Sequence, residues 1–102
     1  MTKVIKLVRD RIPEICKDKN WQAMFRVADE AEYRQRLQDK LQEEVDEYLK
    51  DINLEELADV VEVVYALARL DGHSPEDLEK VRAEKAQKNG AFTKQLIIEF
   101  ER

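Results

Sequence analysis

The sequence predicts a mainly α-helical fold, and three observations favour helices over strands. Charged residues make up 40% of the 102 residues and hydrophobic residues 43%, with only two glycines and two prolines. Apolar residues between positions 33 and 49 recur near the 3.6-residue period of an amphipathic helix. Residues typical of helix starts and helix ends flank the periodic segments. We therefore expect one domain over residues 1–102, built as a helical bundle.

The N-terminal third is expected to hold a short helix between two extended segments. Residues 3–8 are apolar with basic residues interspersed, which suits a strand or an extended arm. Pro13 and Glu14 are favoured in the first turn of a short helix that ends near Lys19. Residues 21–27 alternate apolar and polar positions, which indicates a strand or a loop packed by its aromatic residues.

A long second helix is expected after Asp29, a typical N-cap residue. Its apolar stripe comprises Tyr33, Leu37, Leu41, Val45 and either Tyr48 or Leu49. A third helix begins at Asn53 and runs to about Asp71, since Asn53 and Glu56 have the spacing of a capping box. That spacing leaves the role of Glu56 open, because a capping glutamate is a common structural residue.

Gly72 is expected to end the third helix as its C-cap. A fourth helix then begins with Ser74-Pro75 and reaches about Lys88, where Asn89-Gly90 stops it. Residues 94–100 form a β-favouring run that is a candidate to pair with an earlier extended segment. The predicted fold is therefore mainly α, with a few short β-like terminal segments.

Residues 57–70 are apolar on nearly every side of the predicted third helix. A helix of this kind must be buried all round, and a 102-residue monomer can hardly cover it. We therefore expect this helix to lie at the centre of a homo-oligomer.

Acidic side chains concentrate in residues 43–62, which hold nine acidic residues and one basic residue. Glu44 with Glu47, and Glu56 with Asp59, have i, i+3 spacing, which places both members of a pair on one helix face about 5–6 Å apart. Two antiparallel helices joined by the short break between the pairs would gather four carboxylates. Because like charges repel unless a cation lies among them, and because oxygen ligands suit hard ions, we expect Mg²⁺, with Mn²⁺ as an alternative.

The same stretch also has plainer interpretations. Acidic helix positions usually form a solvated face, but Asp59 has apolar neighbours, where a carboxylate needs a partner or a metal. Glu62 could be a further ligand, a group that supports the ligands, or the partner of an arginine.

A di-iron or zinc site is not expected, because the only histidine, His73, lies in a predicted turn. Cys16 is expected to be packed rather than nucleophilic.

Basic residues collect at the N-terminus and on the fourth helix. The candidates to bind a phosphate ligand are Lys6, Arg9, Lys40, Arg82 and Lys85. Lys40 precedes Glu44 by four residues and so shares its helix face. A basic rim around a metal site suits a polyphosphate ligand, and the alternative is ion pairing on exposed helices.

Composition and charge indicate which kinds of partner and which cellular compartment to expect. The net charge of −5 argues against binding to nucleic acid. The sequence has neither a visible signal peptide nor an apolar run of about 18 residues, so we expect no membrane partner. A single cysteine fits a reducing compartment, and we expect a cytoplasmic protein.

Two segments together resemble a known family. Residues 6–15, Lys-Leu-Val-Arg-Asp-Arg-Ile-Pro-Glu-Ile, resemble the opening of one branch of the MazG-like nucleotide pyrophosphohydrolases. Their all-α NTP pyrophosphohydrolase superfamily carries Glu-Glu-x-x-Glu and then Glu-x-x-Asp, which matches Glu-Glu-Val-Asp-Glu at 43–47 and Glu-Leu-Ala-Asp at 56–59. The resemblance extends over the whole chain, although residues 88–92 read Lys-Asn-Gly-Ala-Phe where the branch has Arg-Gly-Gly-Phe.

The resemblance implies a helical bundle that forms dimers or dimers of dimers and hydrolyses a nucleoside triphosphate to the monophosphate and pyrophosphate with Mg²⁺. Such an enzyme would clear non-standard or surplus nucleotides. The implied metal ligands are Glu44, Glu47, Glu56 and Asp59. The candidate catalytic residues are Glu43 and Glu44, with Glu43 orienting the ligands or serving as the base for water.

Two alternatives remain open. One is phosphoribosyl-ATP pyrophosphohydrolase activity in the same superfamily, against which the N-terminal segment argues. The other is a non-catalytic, oligomeric helical module that binds nucleotides or a protein. Carboxylates at all four implied ligand positions favour a hydrolase over such a module.

Overall fold

The computed structural model describes residues 3–101 and contains four helices. These are α1 (Ile12–Asp18), α2 (Glu30–Lys50), α3 (Leu54–Leu70) and α4 (Pro75–Asn89). Of the described residues 61% are helical, which confirms the mainly α-helical prediction. None of the helices in this range has both the length and the hydropathy that a bilayer span requires.

The long helices begin at the predicted caps. The Asp29 carboxylate accepts a hydrogen bond of 2.8 Å from the backbone N–H of Glu32 and so starts α2. The Asn53 side chain starts α3 by accepting a bond of 2.9 Å from the backbone N–H of Glu56. Each cap satisfies an N–H group that has no partner inside its helix.

α2 and α3 form an antiparallel hairpin, which is the main helix–helix contact of the chain. Only residues 51–53 separate the two helices, so the chain must reverse between them. Arg34, near the start of α2, forms an ion pair of 2.8 Å with Asp71, just beyond the end of α3. This contact joins the start of α2 to the residue that follows α3, which lie together although they are far apart in sequence.

The turn between α3 and α4 is defined by backbone hydrogen bonds. Gly72 has φ +84°, and the N–H of His73 donates to the carbonyl of Ala68 at 2.9 Å, as in a Schellman motif. Ser74 and Asp77 then form a reciprocal capping box that starts α4. α4 packs on α3 through a smaller contact than that between α2 and α3.

The core of a single chain is small. Within residues 3–101 the buried hydrophobic side chains are Cys16, Leu37 and Val63, so the expected packed position of Cys16 is confirmed. The predicted apolar stripe of α2 faces inward, with half-buried side chains at Tyr33, Leu41, Val45 and Tyr48. Leu49 is 66% exposed, so Tyr48 rather than Leu49 completes the stripe.

The prediction of β-like terminal segments is wrong, whereas the alternative of an extended arm holds for residues 3–8. Residues 3–8, 21–27 and 94–100 form no strand, and in the tail Ile97 is 92% exposed. A strand is stable only when a neighbour pairs with its backbone groups. Within residues 3–101 the three segments pair neither with one another nor with any other strand, so β propensity alone does not order them as a sheet.

The chain is much more open than a compact domain of its size. Its radius of gyration is 17.9 Å, whereas a compact domain of 100 residues has about 13 Å. Its accessible surface is 9743 Å², whereas a folded monomer of its mass exposes about 6,000 Å².

Candidate metal centre

The α2–α3 hairpin gathers three carboxylates. Glu44, Glu56 and Asp59 each offer an oxygen, and these three oxygens lie within 4.8 Å of one another. Glu44 lies two turns beyond buried Leu37 on the inward face of α2. The Asn53 cap fixes the first turn of α3 at Glu56, and Asp59 follows on the same face one turn later.

The three carboxylates differ in exposure, and their negative charges repel one another. The side chain of Glu44 is 12% exposed and that of Asp59 is 39% exposed. Burial raises the pKa of Glu56, and the negative charges of Glu47, Asp59 and Glu44 raise it further. The ionised cluster is therefore unfavourable without a compensating cation.

The donor set fits a hard divalent cation. All three donors are carboxylate oxygens, which suit Mg²⁺, Mn²⁺ or Ca²⁺ better than softer metals. Waters or phosphate oxygens would have to complete the coordination, because three oxygens do not fill the shell of these ions. The cluster could thus hold a metal ion whose remaining coordination positions are taken by other oxygen ligands.

The remaining predicted acidic residues lie beside this triad. Glu47 is exposed and is not one of the three gathered donors, but its charge contributes to the raised pKa of Glu56. Glu43 and Glu47 both line an open depression of about 820 Å³ along α2. Glu62 lies 3.9 Å from Arg69, which agrees with the arginine-partner interpretation among the three that the sequence allowed.

Two of the predicted phosphate-binding residues contact the triad, and a third contacts Glu43 beside it. The Lys40 ammonium is 3.3 Å from Glu44 and 3.4 Å from Glu43. Lys6 approaches Glu43 at 3.8 Å, and Arg9 forms an ion pair of 2.5 Å with Asp59. The carboxylates are therefore already partly compensated by side chains of the same chain.

The two predicted phosphate-binding residues on α4 are arranged differently. Arg82 pairs with Glu79 one turn earlier on the same helix, at 2.6 Å. Lys85 is exposed, and within residues 3–101 no ion pair joins Arg82 or Lys85 to the triad. Their part in phosphate binding stays a prediction.

The N-terminal segment at residues 3–9, which we call the N-terminal arm, lies along α2 and reaches α3. The Arg36 guanidinium donates to the carbonyl of Ile5 at 3.4 Å, and a small cavity of about 180 Å³ separates the arm from α2. Sequence reasoning assigned Lys6 and Arg9 to substrate but missed that they contact Glu43 and Asp59. Two features of the sequence pointed to these contacts. Basic residues cluster before α1, and Asp59 has apolar neighbours and so requires a partner.

No family model matches this chain, and comparisons with curated proteins and with solved structures find no similar protein. Function is therefore inferred from the residues and geometry of the site.

Proposed function

We propose that this chain is a Mg²⁺-dependent nucleoside triphosphate pyrophosphohydrolase that releases a monophosphate and pyrophosphate. The observation that carries the proposal is the gathering of Glu44, Glu56 and Asp59 within 4.8 Å, with Lys40 and Arg9 beside them. A metal bound by oxygens with cations at its edge is the chemical environment that a triphosphate requires.

The two sequence segments that resemble MazG-like enzymes support the same reaction. In the structure they lie together, because Arg9 of the first segment forms an ion pair with Asp59 of the second. The separation of 50 residues between them makes this contact a tertiary one rather than a consequence of local sequence.

Each side chain has a proposed role. Glu44, Glu56 and Asp59 would hold Mg²⁺, and Glu47 would join them as the fourth ligand implied by the resemblance. Bound there, Mg²⁺ would neutralise phosphate charge and polarise the α-phosphorus. Glu43, which is 38% exposed at the rim, would accept the proton of the attacking water.

The basic residues would hold the phosphates that the water does not attack. Lys40 has a side chain only 19% exposed and is fixed next to Glu44, so it would bind phosphate oxygens closest to the metal. Lys6 and Arg9 reach the cluster from the N-terminal arm and would contact the outer phosphates.

The reaction is tested with a panel of nucleoside triphosphates in Mg²⁺ and in Mn²⁺, with pyrophosphate and orthophosphate measured separately. We expect pyrophosphate release by wild type and a loss of at least about 100-fold in kcat for Glu43→Gln, a size typical of removing a general base. Glu55→Gln is the matched control, because Glu55 is exposed and lies outside the site. Orthophosphate as the product, or equal activity in both variants, would contradict the proposal.

We also propose that the active form is a homo-oligomer, either a dimer or a dimer of dimers. The support is the accessible surface of 9743 Å², which exceeds that of a compact monomer by more than the roughly 1,600 Å² of a standard interface. Apolar side chains such as Leu54, at 80% exposure, contribute to this excess.

The exposed apolar surface would also suit a non-catalytic oligomeric module, and the panel of triphosphates separates the two functions. The same panel should include phosphoribosyl-ATP, which tests the alternative phosphoribosyl-ATP pyrophosphohydrolase activity. A module without catalysis would bind nucleotides without releasing pyrophosphate.

A further inference from the structure

We propose that the N-terminal arm is a strap on the metal site, with Arg9 held by Asp59 until a divalent cation binds and released when it does. This inference rests on the proposed metal site and adds a regulatory role for the arm. The freed guanidinium would then bind a phosphate of the incoming substrate.

The Arg9–Asp59 contact is what makes the arm a strap. The Nη2 atom of Arg9 lies 2.5 Å from Oδ1 of Asp59, across 50 residues of sequence. Asp59 is one of the three residues whose oxygens gather within 4.8 Å. A guanidinium therefore already neutralises a carboxylate that the metal would need.

The two cations compete for the same carboxylate. A divalent ion among the three oxygens would lie close to the guanidinium, and like charges at that separation repel. A carboxylate has two oxygens, but Asp59 shares its single negative charge between both partners. Binding of the ion therefore weakens the ion pair between Asp59 and Arg9.

The arm can leave without unfolding the hairpin. The Arg9 side chain is 58% exposed, and the arm contains no helix or strand. Its other polar contacts are long, at 3.8 Å between Lys6 and Glu43 and 3.4 Å between Arg36 and the carbonyl of Ile5. Val4 and Ile5 are 77% and 52% exposed, so the apolar packing of the arm is limited to the half-buried Leu7 and Val8.

Calorimetric titration with Mg²⁺, in the absence of any nucleotide, tests the competition directly. If Arg9 competes with the metal, Arg9→Gln should bind Mg²⁺ roughly two- to five-fold more tightly than wild type, the range that one exposed ion pair can supply. Arg11→Gln is the matched control, because Arg11 caps α1 and pairs with Glu14 of that helix at 3.1 Å, and its loss changes the net charge equally.

Equal Mg²⁺ affinity in the Arg9 and Arg11 variants, or weaker affinity in Arg9→Gln, would overturn the strap. Tryptic cleavage after Lys6 gives a second measurement on the full chain. Saturating Mg²⁺ should accelerate this cleavage several-fold in wild type and leave it unchanged in Arg9→Gln, whose arm is already released. A wild-type cleavage rate that does not respond to Mg²⁺ would also overturn the proposal.

These results are distinguishable from failure of the proposed function. Both measurements are made without substrate. They therefore test the competition between Arg9 and Mg²⁺ even if the protein has no hydrolase activity. Absence of Mg²⁺ binding in both wild type and Arg9→Gln would contradict the metal site and the strap together. Equal binding in both, with pyrophosphate release intact, would contradict the strap alone.

Discussion

Within the triad, Glu56 is the residue whose protonation responds to the cluster. Burial and then the charges of Glu47, Asp59 and Glu44 raise its pKa above the ordinary value of 4.5. A raised pKa in the folded state favours folding below pH 4.5 and loses that contribution as pH rises through the folded pKa. At neutral pH and without metal, ionised Glu56 therefore opposes folding.

Glu56→Gln should consequently melt at a higher temperature than wild type at pH 7 in a chelator. Glutamine keeps the shape and the hydrogen-bonding capacity at this position but removes the charge that its neighbours repel. Mg²⁺ should raise the melting temperature of wild type by mass action and that of Glu56→Gln by less. Thermal melts of both proteins with and without Mg²⁺ check these two expectations.

Glu55→Gln is the control for this experiment. Glu55 occupies the preceding position in the first turn of α3 and is exposed, so the variant removes the same charge near the same helix end. It should gain as much from Mg²⁺ as wild type does. Equal gains in wild type and Glu56→Gln would exclude Glu56 as a ligand.

The gathered acidic residues were largely predictable, whereas the sequence indicated that Asp59 needs a partner but not that the partner is Arg9. Helical spacing of i, i+3 places Glu56 and Asp59 on one face, and the short break between the helices brings Glu44 toward them. The pairing of Arg9 with Asp59 depends on how the arm crosses α2, which no local pattern encodes. Sequence reasoning also placed Glu47 among the ligands, whereas the gathered oxygens come from the other three residues.

Helix boundaries follow from caps because the capping groups are local in sequence. Asp29, Asn53 and Ser74 each accept a hydrogen bond from the residue three positions later, as their side chains predict. The failed β-like segments show the opposite case. Strand formation at residues 94–100 requires a partner that is distant in sequence, and propensity carries no information about that partner.

α4 is the helix whose stability depends most on its cap. It has no buried side chain, so packing contributes little to it. Ser74→Ala removes the hydroxyl that accepts from the N–H of Asp77 at 3.0 Å and should cost about 0.5–2 kcal/mol. Because α3 is the only helix of residues 3–101 that α4 contacts, we expect local fraying, seen as faster amide hydrogen exchange in α4 than in α2.

Ser74→Asp is the control for the α4 prediction. Aspartate is as good an N-cap residue as serine, so this variant should retain slow exchange in α4. Fast exchange in both variants would show that serine-specific contacts rather than capping stabilise α4. Unchanged exchange in Ser74→Ala would contradict the prediction.

The whole chain exposes apolar surface in a pattern that a monomer does not explain. Leu54, Leu57 and Val61 are 80%, 41% and 44% exposed, and their spacing places them on one face of α3. The sequence predicted that α3 would require cover on every side, and α2 and α4 supply only part of it. The remaining face is the one that we expect a second copy to cover.

Replacing two of these residues should therefore separate the copies. Leu57→Gln/Val61→Gln removes apolar side chains that are exposed within one chain, so the fold of each chain should survive. In a symmetric dimer the change acts on both copies and should weaken association by at least about 3 kcal/mol, or roughly 100-fold in Kd. Sedimentation velocity over a range of concentrations should show wild type as an oligomer and the variant as a monomer.

Met24→Gln/Val27→Gln supplies the matched control for loss of apolar surface. Both residues lie in the loop before α2 rather than on α3, at 100% and 97% exposure. This variant should sediment as wild type does if the α3 face forms the interface. A monomeric wild type, or a Leu57→Gln/Val61→Gln variant that still associates, would remove that face from the interface. In the second case, the exposed apolar tail at residues 94–100 would be the next surface to test.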